Sequence, residues 1–494
     1  MLATELIPRI EAHLGFDSNP TQHLAIAMLA TFVTSRQPRD AFLLNGYAGT
    51  GKTSVIGALV RALADENINT VILAPTGRAA KVAANMAGKD ASTIHRRIYH
   101  PVGSGLDTKI VFSPNTLKDT IFIVDEASLI THPDSGPSLL AHLVNYVYSG
   151  PGCAMILVGD TAQLPPVGQN NSPAMEPSVL EGLGLHVDKA ILDVPVRQAS
   201  ESGVLYNATR VREAITDNIS LKEKAAKAKD IFSSPLFVNA PKIIPKVNLE
   251  PELRIPDIDL RGFDDIRAIS SAELADELSS SWSTVGPEET IIITRSNSRA
   301  NRFNQAIRNM VMYAESPLQQ GDRIVVSKND YFWKERNSQK GFISNGEIAL
   351  VNWVGRTEKM YGRYFTEVEL YFPSDDSTIG VTLMLRSLMT EGPSIPKEEM
   401  DRFLQHVIAG QEGSPNEKIT SALTDPYYNA IQAKYAYCVT CHKSQGGQWK
   451  HVYIDMAGIA PENMDISFLR WLYTAMTRAT EKVFLINPTV KIID

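Results

Sequence analysis

Eight consecutive residues, GYAGTGKT at positions 46–53, have the types and spacing that phosphate binding requires. They match G-x-x-x-x-G-K-[ST] and lie between an apolar run typical of a strand, AFLLNG at 41–46, and a helical pattern of apolar residues. Glycines let backbone N–H groups approach phosphate oxygens, and a helix N-terminus adds partial positive charge. The pattern therefore predicts that Lys52 reaches the terminal phosphates of a nucleotide and that the Thr53 hydroxyl holds Mg²⁺.

Polar side chains that suit nucleotide hydrolysis follow the next strand-like runs. Asp125 and Glu126 come directly after IFIV at 121–124, at the strand end where α/β sheets place ligands. We expect Asp125 to hold Mg²⁺ and Glu126 to orient and deprotonate the attacking water. Gln163, after the next strand, offers an amide to the γ-phosphate or its water. An acidic pair that caps the following helix is the alternative, which the nearby phosphate loop disfavours.

Two arginines are candidates for stabilising the charge that phosphoryl transfer spreads over the phosphate oxygens. Arg197 lies in VPVRQ, and Arg478 lies in YTAMTRA near the end of the chain. Either arginine alone would more often form a surface ion pair. Since Arg478 is so far along the chain from Lys52, only a cleft between two lobes would bring both to one nucleotide.

The hydrophobic pattern predicts the elements that position these residues. Short apolar runs alternate with helical patterns through the first two hundred residues, which is typical of buried parallel strands in an α/β fold. Residues 98–112 break this alternation and predict an inserted β-hairpin. Residues 200–290 have no clear pattern, TIIITR at 290–295 begins a second α/β unit, and short strands at 321–385 predict a small antiparallel barrel.

Composition restricts the function class further. A chain of 494 residues with 44% apolar content can bury several cores. Its net charge of −7 is small for this length and gives no support to a uniformly basic nucleic-acid binder, so any polyanion site must be a local channel. Three cysteines (Cys153, Cys438 and Cys441) suit a reducing compartment. Cys438 and Cys441 form a lone C-x-x-C, which is a weak zinc signal beside the alternative of two buried strand residues. We expect no signal peptide, no membrane span and a cytoplasmic location.

Several motifs, in order along the chain, resemble those of superfamily 1 helicases of the 5′-to-3′, RecD/Dda-like branch. They are GYAGTGKT (46–53), LAPTGRAAK (73–81), STIHR (92–96), VDEAS (124–128), GDTAQLPPVG (159–168), VRQ (196–198), TCHKSQG (440–446) and YTAMTRA (473–479). The resemblance does not extend to residues 200–290 and 386–430.

The resemblance implies an α/β fold with two RecA-like P-loop lobes, a β-hairpin inserted in the first and a small SH3-like β-barrel inserted in the second. ATP would bind in the cleft and single-stranded DNA across the tops of the lobes. The expected domains are a first lobe at 1–200 with its hairpin at about 97–117, a linking segment and start of the second lobe at 201–320, the barrel and an irregular segment at 321–430, and the rest of the second lobe at 431–494.

The resemblance also assigns residues. For the nucleotide it implies an adenine contact from Gln22 and a link between nucleotide and DNA from Gln445 and Gly446. The phosphate-loop residues that would bind the nucleotide are Gly46, Ala48, Gly49, Thr50, Gly51, Lys52 and Thr53. The implied DNA contacts are Pro75, Thr76, Arg78, Thr93, His95, Thr440, His442, Lys443 and Ser444. A helix-capping threonine or a core histidine is the alternative for each of these alone. In the hairpin, Tyr99, His100 or Pro101 could stack on the last open base pair, and a surface hairpin without DNA contact is the alternative.

The resulting hypothesis is an ATP-dependent DNA helicase that uses ATP and Mg²⁺, translocates 5′-to-3′ on single-stranded DNA and opens duplex junctions. Two alternatives remain, a helicase subunit of a nuclease complex and a nucleotide-gated DNA-binding ATPase that does not unwind. We expect a monomer in a bacterial or phage-infected cell, working beside single-strand-binding, replication or recombination proteins in DNA repair, recombination or replication.

Overall fold

The computed structural model describes residues 2–102, 109–133, 136–196, 202–232, 252–339, 342–374 and 376–494. Its helices are α1 (Ala3–Leu14), α2 (Pro20–Ser35), α3 (Lys52–Asp65), α4 (Gly77–Ala87), α5 (Ile94–Ile98), α6 (Leu139–Tyr148), α7 (Pro177–Gly182), α8 (Gly203–Phe232), α9 (Leu274–Val285), α10 (Asn297–Met310), α11 (Trp333–Arg336), α12 (Leu385–Leu388), α13 (Lys397–Ala409), α14 (Pro415–Leu423), α15 (Cys441–Ser444) and α16 (Ile466–Met476).

The strands form two parallel sheets, one larger antiparallel sheet and two short pairs. They are β1 (Asp40–Gly46), β2 (Thr70–Ala74), β3 (Ala91–Thr93), β4 (Tyr99–Val102), β5 (Lys109–Phe112), β6 (Ile121–Val124), β7 (Ala154–Gly159), β8 (His186–Leu192), β9 (Ile258–Asp259), β10 (Ile266–Ile269), β11 (Thr290–Thr294), β12 (Arg323–Val326), β13 (Ile348–Met360), β14 (Arg363–Phe372), β15 (Ser377–Met384), β16 (Ala433–Tyr435), β17 (Cys438–Thr440), β18 (Trp449–Asp455), β19 (Ala479–Ile486) and β20 (Ile492–Ile493). The predicted mixed α/β class with parallel sheets is confirmed.

The first lobe is built on a six-stranded parallel sheet with the order β3-β2-β6-β7-β1-β8. Its central strands are apolar along their whole length because helices cover both faces; all four residues of β6 and all six of β7 are buried. Since β1, β6 and β7 run in the same direction, their carboxyl ends meet at one edge. That edge carries the phosphate loop, Asp125 and Asp160.

The second lobe has a five-stranded parallel sheet with the order β10-β19-β18-β11-β17. Helices α8 and α16 pack together beside this sheet, where Trp471, Leu472 and Met476 join a large core. The same core includes Ala162 and Leu164 of the first lobe. The two lobes therefore share buried apolar contacts.

The third large sheet is antiparallel, with the order β15-β14-β13-β12-β16. A single bridge pairs Leu383 in β15 with Ile431, two residues before β16, so the two edges approach each other. The apolar residues of this sheet join one core with part of the second parallel sheet. The SH3-like barrel remains a prediction for this region.

The predicted hairpin region contains a two-stranded antiparallel pair, β4 and β5, in which Tyr99 pairs with Phe112. Residues 103–108 lie outside the described residues. That the pair acts on DNA remains a prediction.

Two stretches are more helical than the sequence pattern indicated. The segment after residue 200 begins with α8, a 30-residue helix, and the expectation of an irregular segment after the antiparallel sheet is corrected by α13 and α14. Phe403 and Val407 of α13 and Ala422 of α14 join a small core with Phe365 and Met384 of the antiparallel sheet. Capping explains one of the two helices: α14 begins with a capping box between Ser414 and Glu417.

Candidate functional site

The phosphate loop connects β1 to α3 through a turn that only glycine accommodates at two positions. Gly49 and Gly51 have φ of 73° and 82°. A side chain at Gly46 would come within 2.5 Å of the Lys52 side chain. The Lys52 ammonium group donates a hydrogen bond to the Tyr47 carbonyl at 3.0 Å and lies beside a cavity of about 380 Å³. The loop is therefore shaped for phosphate, and its lysine is placed to reach it.

The carboxylates predicted from the IFIV run lie in the same cavity. Asp125 follows β6, its N–H donates to the Leu73 carbonyl at 2.9 Å, and its carboxylate accepts a hydrogen bond from the Glu126 N–H at 2.9 Å. Burial, with a smaller contribution from the Glu126 charge, raises the pKa of Asp125 to about 6, and Lys52 opposes the shift. Thr53 lines the cavity as well, so the side chains chosen for Mg²⁺ and for the attacking water share one space.

Gln163 provides a polar atom that lacks a partner in the described structure. Its side chain is 3% exposed, and its Oε1 is buried without a hydrogen bond to any residue that the structure describes. Its amide nitrogen lies 3.5 Å from Asp160. An orphaned buried acceptor in a phosphate-loop cavity is suited to a water or ligand hydrogen bond.

The second lobe reaches this cavity through Arg478. Its guanidinium lies 3.7 Å from the Glu126 carboxylate, and both side chains are largely buried. Hydrogen bonds to the carbonyls of Thr474 and Gly447, at 3.1 and 3.3 Å, hold it there. The structure therefore brings Arg478 to the phosphate loop across the cleft. Arg197 lies outside the described residues.

Tyr473 is a residue at this site that the sequence reasoning missed. Its hydroxyl donates to Asp160 at 2.7 Å and accepts a hydrogen bond from the Ala48 N–H at 2.8 Å, so it joins the second lobe to the phosphate loop. Burial raises its pKa well above the usual range. The signal was its place in YTAMTRA, on the helix that ends at Met476, two residues before Arg478.

Gln22 and Gln445 both hydrogen-bond the backbone of the first lobe close to predicted site residues. Gln22 is buried, donates to the Thr50 carbonyl at 3.0 Å and also completes the capping box of α2 with Asn19. Gln445 donates to the Leu164 carbonyl at 2.7 Å, next to Gln163. The adenine contact of Gln22 remains a prediction, whereas its role in bracing the loop is visible.

A second cavity, which we call the groove, has a volume of about 1030 Å³ and lies between the lobes and the antiparallel sheet. Most of the predicted DNA contacts line it, namely Pro75, Thr76, Arg78, His95, Tyr99, His442 and Lys443. The groove and the nucleotide cavity share Val82, Gln448 and Thr480 as lining residues. The two cavities are therefore neighbours with a common wall.

The side chains of several predicted DNA contacts form local hydrogen bonds within the protein. The Thr76 and Thr93 hydroxyls accept hydrogen bonds from N–H groups in the first turns of α4 and α5, as the capping alternative predicts. Ser444 is buried, with its hydroxyl donated to the Cys441 carbonyl at 2.8 Å. His100 is exposed and pairs with Ser113 outside the groove lining. Thr440 precedes α15 without capping it through its side chain.

Arg78 joins the two lobes in the groove through two contacts. Its guanidinium lies 4.0 Å from the centre of the Trp449 ring and donates to the Gln448 carbonyl. Burial lowers its pKa to about 10. Burial also lowers the pKa of His95, His442 and Lys443.

Metal and membrane features are limited in the described part of the chain. Cys438 and Cys441 are both buried, and no group of three or more His, Cys, Asp or Glu side chains there is arranged to hold a metal ion. None of the helices in the described ranges is long and apolar enough to cross a bilayer.

Family models match both lobes. Residues 19–201 match the AAA domain model, and residues 435–486 match the UvrD-like helicase C-terminal domain model. Protein R530 of Acanthamoeba polyphaga mimivirus is 23% identical over 94% of this chain and 99% of its own length.

Two named helicases are similar over shorter stretches. The ATP-dependent RecD2 DNA helicase of Deinococcus radiodurans is 36% identical over 25% of this chain and 16% of its own length. The ATP-dependent DNA helicase dda of Enterobacteria phage T4 is 29% identical over 36% of this chain and 39% of its own length. The chain thus spans less than half of either helicase. A Bacteroides Pif1 helicase solved with ADP-AlF3 and ssDNA has a TM-score of 0.46 at 15% identity, covering 97% of this chain and 95% of that one.

The fold and the site define a P-loop nucleotide-binding protein whose nucleotide cavity is shared by two parallel-sheet lobes. Its two matched regions are similar to an AAA domain and to a UvrD-like helicase C-terminal domain, and stretches of the chain are similar to the RecD2 and Dda helicases.

Proposed function

We propose that this chain is an ATP-dependent DNA helicase that translocates 5′-to-3′ along single-stranded DNA and unwinds duplex. The observation that supports it best is the pair of neighbouring cavities. One holds the phosphate loop together with Glu126 and Arg478, and the other is lined by Arg78, His442 and Lys443. A nucleotide and a strand bound in them would be separated by one shared wall.

The proposed hydrolysis assigns a task to each side chain of the nucleotide cavity. Lys52 binds the terminal phosphates, Glu126 orients and deprotonates the attacking water, and Gln163 accepts or donates a hydrogen bond at that water. Arg478 stabilises the charge on the transferred phosphoryl group from the other lobe. Thr53 and Asp125 would hold Mg²⁺, which supplies charge neutralisation at the phosphates.

Coupling between nucleotide and strand runs through the peptide bond from Gln163 to Leu164 and two hydrogen bonds from Leu164 to the second lobe. Leu164 follows Gln163, its N–H donates to the Thr474 hydroxyl at 2.8 Å, and its carbonyl accepts from Gln445. Gln445 lies between the residues proposed to bind DNA and the nucleotide cavity. A shift of Gln163 on hydrolysis would therefore be transmitted to the second lobe within one residue.

Strand binding in the groove combines cationic and flat side chains. Arg78 and Lys443 can neutralise phosphates, and the rings of His95, Tyr99 and His442 can stack on bases. The groove lining carries four basic side chains against three glutamates, so its charge is slightly positive although the chain as a whole carries −7; they are Arg78, Lys81, Arg323 and Lys443 against Glu288, Glu289 and Glu347. The 5′-to-3′ direction rests on the motif resemblance, and we assign strand separation to the β4–β5 hairpin.

Strand displacement on tailed duplexes tests the proposal. A duplex with a 5′ single-stranded tail should be opened in the presence of ATP and Mg²⁺, and one with only a 3′ tail should stay closed. Single-stranded DNA should raise ATP turnover more than duplex does. A plot of the logarithm of DNA affinity against the logarithm of salt concentration should have a slope of about −0.7 per neutralised phosphate. ATPase that responds to DNA without any opening would instead indicate a nucleotide-gated binding protein, and preference for the 3′ tail would reverse the polarity.

A further inference from the structure

One turn of the antiparallel sheet reaches the first lobe along the groove. The turn between β14 and β15 includes Pro373 and Ser374, and Lys81 on α4 donates a hydrogen bond to the Pro373 carbonyl at 2.6 Å. Gly77, at the start of α4, lies against the same turn, since a Cβ placed on it would be 3.5 Å from the Ser374 Cβ. We call this pair of contacts the α4–turn bridge.

The turn is braced from its own side. The Ser374 hydroxyl donates to the Glu347 carboxylate, whose other oxygen accepts a hydrogen bond from the Ser344 N–H at 2.9 Å. The turn is therefore held in place by its own sheet before it meets α4. By contrast, the bridge itself consists of one exposed hydrogen bond and one glycine contact, so it can part without opening a core.

The bridge is part of the groove wall. Lys81, Pro373, Ser374 and Glu347 all line the groove, as do Arg78 and Lys443 on the lobes. The lobes also contact each other directly, through Gln445 on the Leu164 carbonyl and Arg478 beside Glu126. The first lobe, the turn, the antiparallel sheet and the second lobe thus form a closed circuit of contacts around the groove.

We propose that this chain encircles the single strand, with the strand passing through the groove enclosed by the α4–turn bridge. This inference rests on the proposed function. It adds a substrate preference to that function, because a strand with a free end can thread through the closed circuit. A circular strand can enter only when the bridge between Lys81 and Pro373 parts.

A disulfide across the bridge tests the topology directly. The 3.5 Å separation lies within the range of about 3.5–4.5 Å between Cβ atoms that a disulfide spans, so Gly77→Cys with Ser374→Cys should crosslink on oxidation. The three native cysteines are buried and should not compete. The double variant is bound to a thymidine-only circle or to a linear strand of equal length, oxidised, and challenged with high salt.

The oxidised protein should stay on the circle through the salt challenge and slide off the linear strand, whereas the reduced protein should leave both. Protein oxidised before mixing should fail to be retained on the circle while its ATPase still responds to linear DNA. Release of the oxidised protein from the circle as readily as from the linear strand would overturn encirclement. So would a disulfide that forms in free protein but not on DNA, because the bridge would then be open around a bound strand.

Controls separate this inference from the proposed function. Each single-cysteine variant should behave like the reduced double variant under oxidation. DNA-stimulated ATPase of the reduced protein tests the helicase assignment by itself, so its loss would contradict the proposed function, whereas its presence without trapping would contradict only encirclement.

A second variant keeps the test independent of the cysteines. Unmodified protein should remain longer on a circle than on a linear strand of equal length, and Lys81→Ala should shorten the residence time on the circle most. Lys89→Ala is the matched control, because Lys89 donates to Thr70 away from the groove lining. Equal residence times on circle and linear strand in the unmodified protein would contradict the inference.

Discussion

The hydroxyl of Tyr473, in the second lobe, lies 2.7 Å from the carboxylate of Asp160 in the first lobe. The same hydroxyl accepts the N–H of Ala48, within the phosphate loop, at 2.8 Å. Burial raises the pKa of both side chains, and the tyrosine keeps its proton as donor. One buried atom therefore couples the position of the second lobe to the conformation of the phosphate loop.

Tyr473→Phe should weaken this coupling without creating a large cavity. It leaves the Asp160 carboxylate and the Ala48 N–H each without one hydrogen bond, which should cost about 1–3 kcal/mol of unfolding free energy. ATP turnover should fall as well, because the phosphate loop and the helix that precedes Arg478 are no longer joined by the Tyr473 hydroxyl. Tyr453→Phe is the matched control, since its buried hydroxyl bonds Ser281 far from the site. Denaturant unfolding and ATPase assays distinguish them; equal ATPase in both variants would exclude a functional role for Tyr473.

Lys52→Ala should remove ATP turnover while the protein stays folded. The Lys52 ammonium contacts only the Tyr47 carbonyl by hydrogen bond among the described residues, so its loss removes little native structure. Loss of a preorganised charge at the phosphates should lower turnover by about 100-fold or more. Lys491→Ala, at an exposed ion pair with Asp257, serves as the control. Turnover near that of the unmodified protein would contradict the phosphate-loop assignment.

Glu126→Gln should separate nucleotide binding from hydrolysis. The amide keeps the size of the side chain and can still lie beside Arg478, but it cannot accept a proton from water. Binding of a fluorescent ATP analogue should be retained, while single-turnover hydrolysis should be nearly abolished. A variant that hydrolyses ATP normally would remove Glu126 from the role of base.

Replacing residues 101–108 by a short Gly-Ser turn should uncouple unwinding from ATP turnover. Tyr99 lines the groove and its hydroxyl pairs with His142 at 2.6 Å, so the base of the hairpin is anchored on the first lobe. The replacement leaves the nucleotide cavity intact, and DNA-stimulated ATPase and translocation should persist while strand displacement collapses. If unwinding per ATP is unchanged, the hairpin is a surface feature and strands separate elsewhere.

Asp330→Asn should change how stability depends on pH. Burial raises the pKa of Asp330 to about 6, although its carboxylate accepts the N–H groups of Phe332 and Trp333. The raised pKa means that the fold favours the protonated acid, so this stabilisation is present below pH 4 and lost as pH rises through 6. Relative to the unmodified protein, the asparagine variant should gain about 2–3 kcal/mol between pH 4 and pH 7. Urea unfolding of both proteins at several pH values measures this difference; a difference that stays flat with pH would contradict the shift.

Local spacing in the sequence was sufficient to predict the phosphate loop, the acidic pair after β6 and the α/β class. These features depend on neighbours within about a dozen residues, where strand and helix periodicity and glycine geometry decide the conformation. The meeting of the carboxyl ends of β1, β6 and β7 at one edge of the sheet was also predictable, because parallel strands all end on the same side. Between residues 386 and 430 the capping box of Ser414 and Glu417 was a local signal for α14 that the sequence analysis did not use, whereas α13 packs on the antiparallel sheet through Phe403 and Val407.

Only the tertiary structure decided which distant residues meet. Tyr473 bonds Ala48, Arg78 stacks on Trp449, and Lys81 reaches the Pro373 carbonyl, and each of these pairs joins residues separated by hundreds of positions. No local pattern encodes such pairs, because they depend on how the lobes and the antiparallel sheet dock, which is set by summed burial over the shared core. The sequence alone thus predicted the residue types of the candidate site in the first lobe, and the docking of the lobes decided which residues of the second lobe and of the antiparallel sheet lie beside it.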